Sequence, residues 1–129
     1  MTERAEDPKT PVPIYTEQDG YLEIRFAEPR SFADVVSQGQ EMIRHCQDRK
    51  PPRLLIDMCL LRMKLSTLER YEMGIIGSGL APHVKKVAVL ARAEFIDPQK
   101  FGVQVAINRG LASDIFSDRA AAVAWLKQP

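Results

Sequence analysis

The last third of the chain reads Lys86-Val-Ala-Val-Leu90, then Asp97-Pro-Gln-Lys-Phe-Gly-Val-Gln-Val-Ala-Ile-Asn108, then Ser113-Asp-Ile-Phe116 and Ala121-Ala-Val-Ala-Trp-Leu126. Val87-Ala-Val-Leu90 in the first segment is an apolar run that is typical of a buried strand, and we interpret the short segment Ser113–Phe116 as the last strand. The second and fourth segments have helical spacing. A strand, a helix, a strand and a helix in this order predict a parallel α/β layer that a terminal helix closes. This helix carries the only tryptophan, Trp125, which we expect to be largely buried.

The ends of these two helices carry recognisable signals. Asp97 followed by Pro98 predicts an N-cap with proline at the first helical position, and Gly110 predicts a left-handed C-cap. Ser117 or Asp118 is the expected N-cap of the final helix.

The first part of the chain extends the pattern. Residues 12–16 and 21–26 are rich in β-branched and aromatic side chains and flank the turn signal Asp19-Gly20, so a β-hairpin is expected. Ser31 offers an N-cap to a helix whose apolar stripe is Phe32, Val35, Val36, Gly39, Met42, Ile43 and Cys46. The pair Pro51-Pro52 ends that helix.

The middle of the chain contributes one more strand and helix. Leu54-Leu-Ile56 is a continuous apolar run that predicts a central strand buried on both faces. Ser66 and Glu69 form a capping box that opens a helix through Leu68, Tyr71, Ile75 and Ile76. Its late glycines are expected to serve close packing and C-capping, because a phosphate-binding loop needs them at the start of a helix.

The whole order is therefore β-β-α-β-α-β-α-β-α, with a mixed sheet of about five strands and four helices in a single layered α/β domain. We expect residues 1–11 to be a flexible N-terminal tail and residues 12–129 to form the domain.

Composition narrows the functional classes. The 18 basic and 17 acidic residues nearly balance, which argues against nonspecific binding of nucleic acid. Cys46 and Cys59 stand in no metal-type spacing, and we expect both to be reduced thiols in or near the core. No signal peptide or transmembrane segment is visible, so a cytoplasmic protein is expected.

Four segments carry a resemblance to a known family: Leu54-Leu-Ile-Asp57, Val87-Ala-Val-Leu90, Asn108-Arg-Gly110, and Phe116 with Ala122-Val-Ala-Trp-Leu126. Together with the order of elements they resemble the STAS domain of SpoIIAA-type anti-anti-sigma factors. The chain is most similar to the bacterial SpoIIAA-like family, whose STAS or CRAL-TRIO-like domains have no known role. The resemblance spans about residues 12–127 and implies a fold more strongly than a function.

Signalling STAS domains carry a phosphorylatable serine or threonine at the start of the helix after the central strand. Ser66 and Thr67 occupy the corresponding place and are candidate phosphosites on the strength of the resemblance. This chain has Leu65 where the family has an acid and Leu68 where it has glycine. The alternative is that Ser66 serves only as an N-cap.

The connection after the central strand is the candidate binding surface. It comprises Asp57, Leu60, Leu61, Arg62, Met63 and Lys64. Open α/β sheets bind ligands at the carboxyl ends of their parallel strands, and this segment combines apolar side chains with two cations. The alternative is that the leucines fill the core while the cations reach water.

Two classes of function follow. The first is a non-catalytic binding or regulatory module for a protein partner or a small apolar ligand, with a homodimer among the partner options. The second is an enzyme whose site assembles in space, since no nucleophile motif or acid–base set is present in the sequence. We predict the first class, with no catalytic residue, no metal site and no cofactor.

Overall fold

Five strands form one mixed sheet in the computed structural model, which describes residues 10–129. The strands are β1 (Ile14–Gln18), β2 (Tyr21–Arg25), β3 (Arg53–Asp57), β4 (Lys86–Leu90) and β5 (Ser113–Phe116). The helices within these residues are α1 (Phe32–Arg49), α2 (Thr67–Ser78), α3 (Phe101–Asn108) and α4 (Arg119–Leu126). The predicted α/β class, mixed five-stranded sheet and four helices are confirmed. The predicted tail at residues 1–11 lies almost entirely outside the described residues.

The strands lie side by side in their order along the chain, β1 to β5. The pair β1–β2 is antiparallel, and β2, β3, β4 and β5 run parallel to one another. Right-handed crossovers that all step in one direction place their helices on one face of the sheet. Accordingly α1, α2 and α3 pack on one face, which we call the three-helix face, and α4 alone packs on the other, the α4 face.

The hairpin forms, but its first strand is displaced from the predicted residues 12–16. The strand β1 begins at Ile14 and runs to Gln18, which pairs with Tyr21. The turn is therefore only Asp19-Gly20, and Gly20 has a φ of 88°, which side chains rarely allow. A two-residue turn needs both strands to extend up to it, which explains the shift.

Helix α1 begins after Ser31 as predicted, but Ser31 makes no side-chain cap hydrogen bond. The carboxylate of Asp34 instead accepts the backbone N–H of Arg30 at 2.8 Å and pairs with its guanidinium. Of the predicted core positions, Val35 and Met42 are buried, whereas Val36 and Ile43 are only half-buried.

The predicted apolar positions of helix α2 do not all face the core, although Ile76 lines the interior. Leu68 is 67% exposed and Tyr71 is 43% exposed. The inward side is set by Gly74, where a Cβ atom would lie 2.6 Å from the carbonyl oxygen of Gly102 in α3. This close contact between α2 and α3 fixes the rotation of α2 and leaves Leu68 on the outside.

Helix α3 begins at Phe101, later than the predicted start at Asp97-Pro98. Residues 98–99 form a turn, and Lys100 has a positive φ of 52°, which breaks the helical path. Asp97 still caps the helix, because its carboxylate accepts the N–H of Phe101 at 2.9 Å. The predicted positive φ at Gly110 is confirmed at 101°.

Helix α4 packs on the sheet, with Asp118 as its N-cap. Leu126 and Ala122 are fully buried, and Trp125 packs against their cluster with a minor part of its surface exposed, so it is buried for the most part but not completely. Its ring lies at the rim, against Phe116 on one side and 4.3 Å from the Lys86 ammonium on the other. This cation–π contact needs a ring face that the lysine ammonium can reach.

Candidate functional site

A cavity of about 160 Å³ lies on the three-helix face, between the sheet and helices α2 and α3. Its floor is the inward side of the parallel strands, and its roof is the paired helices. Residues at both ends of the parallel strands complete the lining, among them Leu111 before β5 and Met58 after β3. A concave and mostly apolar space of this kind is typical of small-molecule sites.

Nearly all of the cavity surface is apolar. The strands contribute Ile56, Val87, Val89, Ser113 and Ile115, and the helices contribute Gly39, Met42, Met73, Gly74, Ile76, Gly77, Phe101, Gly102, Val103 and Ala106. The connections contribute Phe26, Met58, Leu61, Leu65, Leu80, Ala91, Phe95 and Leu111. The hydroxyl of Ser113 is directed to the carbonyl oxygen of Leu111 at 3.5 Å. A cavity with such a lining binds small apolar molecules more favourably than water.

The glycines make room for this space. At Gly77 no atom lies within 4 Å of where a Cβ would be, whereas Gly74 and Gly102 bring the two helices into direct backbone contact. A side chain at either contact position would force α2 and α3 apart. The two helices of the roof are thus in contact at Gly74 and Gly102, and an unfilled space lies beside this contact.

Three charged residues line the cavity: Arg70, Asp97 and Lys100. The ammonium of Lys100 pairs with Asp114 at 2.9 Å. The carboxylate of Asp97 accepts backbone N–H groups from Phe101 at 2.9 Å and Gln99 at 3.3 Å. The hydrogen bond from Phe101 is the main cause that lowers the pKa of Asp97, so this carboxylate is ionised at neutral pH.

Arg70 differs from these two because its guanidinium makes no hydrogen bond or ion pair with any other residue in the described range 10–129. It lines both the apolar cavity and a neighbouring polar recess. That recess is bounded by Thr67, Arg70, Asp97, Gln99, Phe101 and Gln104. Arg70, Asp97 and Phe101 therefore stand between an apolar interior and a polar exterior.

The structure divides the predicted binding surface among three environments. Leu61 packs against the core and lines the cavity. Leu60 and Met63 are half-buried outside the cavity lining, and Arg62 and Lys64 are exposed. Only one of the predicted loop residues therefore contributes to the apolar interior.

Asp57 lies on the opposite side of the sheet, the α4 face. Its carboxylate accepts the N–H of Cys59 at 2.9 Å and the Arg119 guanidinium at 3.0 Å. Arg119 also donates to both carboxylate oxygens of Glu23, at 2.9 and 3.1 Å. Asp57 thus orders the loop and anchors the start of α4.

Neither cysteine is an activated nucleophile. Burial raises the pKa of Cys46 to about 11. Burial also raises the pKa of Cys59 to about 11, with the nearby Asp57 carboxylate acting in the same direction. Both thiols are therefore protonated at neutral pH, and thiolate chemistry needs the opposite shift.

The candidate phosphosites lie at the first turn of α2 and are both exposed. The hydroxyl of Ser66 accepts the N–H of Glu69 at 3.1 Å, and the Glu69 carboxylate accepts the N–H of Ser66 at 2.9 Å. This is the predicted capping box. Thr67 borders the polar recess.

Among the described residues that line the cavity there is no histidine, cysteine or tyrosine. Within residues 10–129, no three His, Cys, Asp or Glu side chains come together in a metal-binding arrangement. None of the helices in the same range is both long and apolar enough to cross a membrane. The chemistry that the cavity offers is therefore burial of apolar surface, with one guanidinium at its edge.

Sequence reasoning missed Arg70 and Phe101. Arg70 stands four residues after Ser66 in a helix for which the sequence analysis considered only the apolar positions and the caps. Phe101 was placed inside a longer helix rather than at its start. The glycine pair Gly74 and Gly102 was the available signal, because two glycines in neighbouring helices permit close approach.

No protein-family model matches the chain, and no curated protein matches it significantly. The function is therefore argued from the geometry of the cavity.

Proposed function

We propose that this protein is a non-catalytic binding module of the SpoIIAA-like type that takes a compact apolar molecule into the cavity beneath α2 and α3. The observation that carries the proposal is the apolar cavity of about 160 Å³ between the sheet and the helices α2 and α3. The strand order β1 to β5, with its opening antiparallel hairpin, supports the SpoIIAA-like assignment.

The size of the cavity limits the ligand. Clefts that hold drug-sized ligands measure roughly 300–1,000 Å³, whereas an apolar cavity of about 150 Å³ in another protein stays dry and binds benzene. At about 160 Å³ the present cavity suits a single ring or a short branched chain.

A phosphorylation-switched signalling protein is the second candidate. The exposure of Ser66 and Thr67 at the start of α2 favours it, since a kinase would reach both hydroxyls. A phosphate on Ser66 would replace the capping hydroxyl and lie beside Glu69, which changes the first turn of the cavity roof. Stoichiometric phosphate on either residue in native cells, measured by mass spectrometry, would support this candidate.

The methionines allow a direct test of the first proposal. Met42, Met58 and Met73 line the cavity, whereas Met63 lies outside the lining. In protein labelled with ¹³C at the methionine methyls, titration with indole or toluene should shift the first three resonances in a saturable way. The resonance of Met63 should stay in place. Saturating ligand should also raise the melting temperature, because it binds only the folded state.

A matched pair of variants sharpens the test. Val89→Phe places a ring inside the cavity and should abolish these shifts. Val12→Phe makes the same change at an exposed position and should keep them. Methionine resonances that respond to none of these ring-sized probes would contradict the proposal.

A further inference from the structure

At the edge of the cavity, Arg70 is a cation that forms no ion pair with any of the described residues. Arg70 lines both the cavity and the recess, and its guanidinium has no hydrogen-bond or ion-pair partner in residues 10–129. It is half-buried at the crossing of α2 and α3, where a Cβ at position 102 would lie 3.0 Å from the Arg70 carbonyl oxygen. Five N–H donors in a planar fork are therefore held beside an apolar interior.

The charge around Arg70 is balanced, and this limits what it accepts. Lys100 and Asp114 form a pair, and Asp97 offsets Arg70 without touching it. The set of Arg70, Lys100, Asp97 and Asp114 therefore sums to zero. A ligand with one negative charge can form hydrogen bonds with the unpaired guanidinium of Arg70. A phosphate carries nearly two negative charges and is repelled more strongly by the carboxylate of Asp97.

The recess offers polar groups that suit a small head group. Thr67 contributes a hydroxyl and Gln104 an amide, both next to Arg70. On the inner side the ring of Phe101 borders both spaces. A molecule that spans the boundary would have an apolar body inside and a polar end outside.

We propose that the ligand is a compact monocarboxylate, with its ring or short chain in the cavity and its carboxylate held by the Arg70 guanidinium. This inference rests on the proposed function, since it assigns a head group to the molecule that the cavity takes. Bidentate pairing of a guanidinium with a carboxylate fixes both the orientation and the depth of the ligand. Arg70 is then the residue that determines specificity.

The test compares two probes of the same size, benzoate and benzamide, which differ in charge. Titration of the Met42, Met58 and Met73 methyl resonances gives a dissociation constant for each probe. Benzoate should bind the wild-type protein roughly tenfold to a hundredfold more tightly, the range for a charge-assisted hydrogen-bonded pair. In Arg70→Gln the two probes should bind equally.

Two further variants control the test. Arg109→Gln removes an exposed arginine that lines neither space, and it should keep the preference for benzoate. Arg70→Lys keeps the charge but loses the fork, and it should retain only part of the preference.

The outcomes separate the two proposals. If both probes shift the three methyls equally, or if Arg70→Gln keeps the preference for benzoate, the head-group assignment is overturned and the apolar binding function stands. If neither probe shifts the methyls, both proposals fall.

Discussion

The three-helix face of the sheet encloses a cavity, whereas the α4 face is filled by side chains and tied by charges. On the α4 face Leu55, Ala88, Ala122 and Leu126 have no exposed surface. The ends of α4 are held by side chains from the sheet. Arg119 pairs with Glu23 and Asp57 at one end, and at the other Lys86 and Arg53 donate to the carbonyl oxygens of Trp125 and Leu126 at 2.6 and 2.9 Å.

The three-helix face holds the larger cluster of buried side chains, but two of its helices meet through backbone. The helices α2 and α3 are in contact at Gly74 and Gly102, and the space beside that contact is not filled. The α4 face is thus a small layer that side chains fill and polar contacts hold, whereas the other face combines a larger core with an unfilled space. The comparison teaches that one sheet can carry a fully packed layer on one side and a layer with a cavity on the other.

Truncation on the filled face should have the largest effect. Leu126→Ala removes a fully buried side chain from the cluster with Leu55 and Ala88, and it should cost about 2–5 kcal/mol of unfolding free energy. Trp125→Ala should cost less, about 1–3 kcal/mol, since a partly exposed ring loses less contact. Urea unfolding of both variants measures the difference. A larger loss of unfolding free energy for Trp125→Ala would mean that contacts of Trp125 at the edge of the sheet hold α4 more strongly than those of the buried Leu126.

A side chain at the helix contact should have the next largest effect. In Gly74→Ala the new Cβ meets the Gly102 carbonyl oxygen at 2.6 Å, so overpacking should destabilise the protein by about 1–3 kcal/mol. Gly77→Ala, one turn later, meets nothing within 4 Å and should stabilise α2 by about 0.5–1 kcal/mol. Opposite signs for the two variants in thermal unfolding are the expected result. The same sign for both would show that α2 does not lie on α3 in this way.

The smallest effect should come from the helix cap on the three-helix face. Ser66→Ala removes the acceptor for the Glu69 N–H and should cost about 1 kcal/mol. Ser66→Asp retains an acceptor and adds a favourable charge at the helix start, so it should lose little. Chemical denaturation of the two variants should rank them in this order. Equal stability of Ser66→Ala and the wild type would show that the exposed cap contributes nothing.

Much of the fold was predictable because its signals are local. Leu54-Leu-Ile56 and Val87-Ala-Val-Leu90 are short apolar runs, and in the structure these strands occupy the middle of the sheet. The capping box at Ser66 and the cap at Asp118 also depend only on neighbouring residues. The start of α3 was not predictable, because Lys100 takes a positive φ that its residue type disfavours.

The site was less predictable because it depends on which way α2 is turned. Leu68 and Tyr71 have the spacing of a buried stripe, and the contact between Gly74 and Gly102 overrides it. Leu61 was rightly placed near the strand end, and the structure shows that it lines the cavity. Arg70 enters the site only through the tertiary packing of α2 on α3, which no local pattern encodes.

The clamps on α4 also have a consequence for synthesis of the chain. Leu55, Ala88 and Leu90 lie in β3 and β4, but the helix that covers them is made last among the described elements. At roughly 5–20 residues per second, a ribosome needs about 2–7 seconds to pass from the end of β4 to the end of α4. Until α4 is complete and docks, the apolar side chains of β3 and β4 on the α4 face have no helix to cover them. Apolar surface that is transiently exposed in this way favours aggregation.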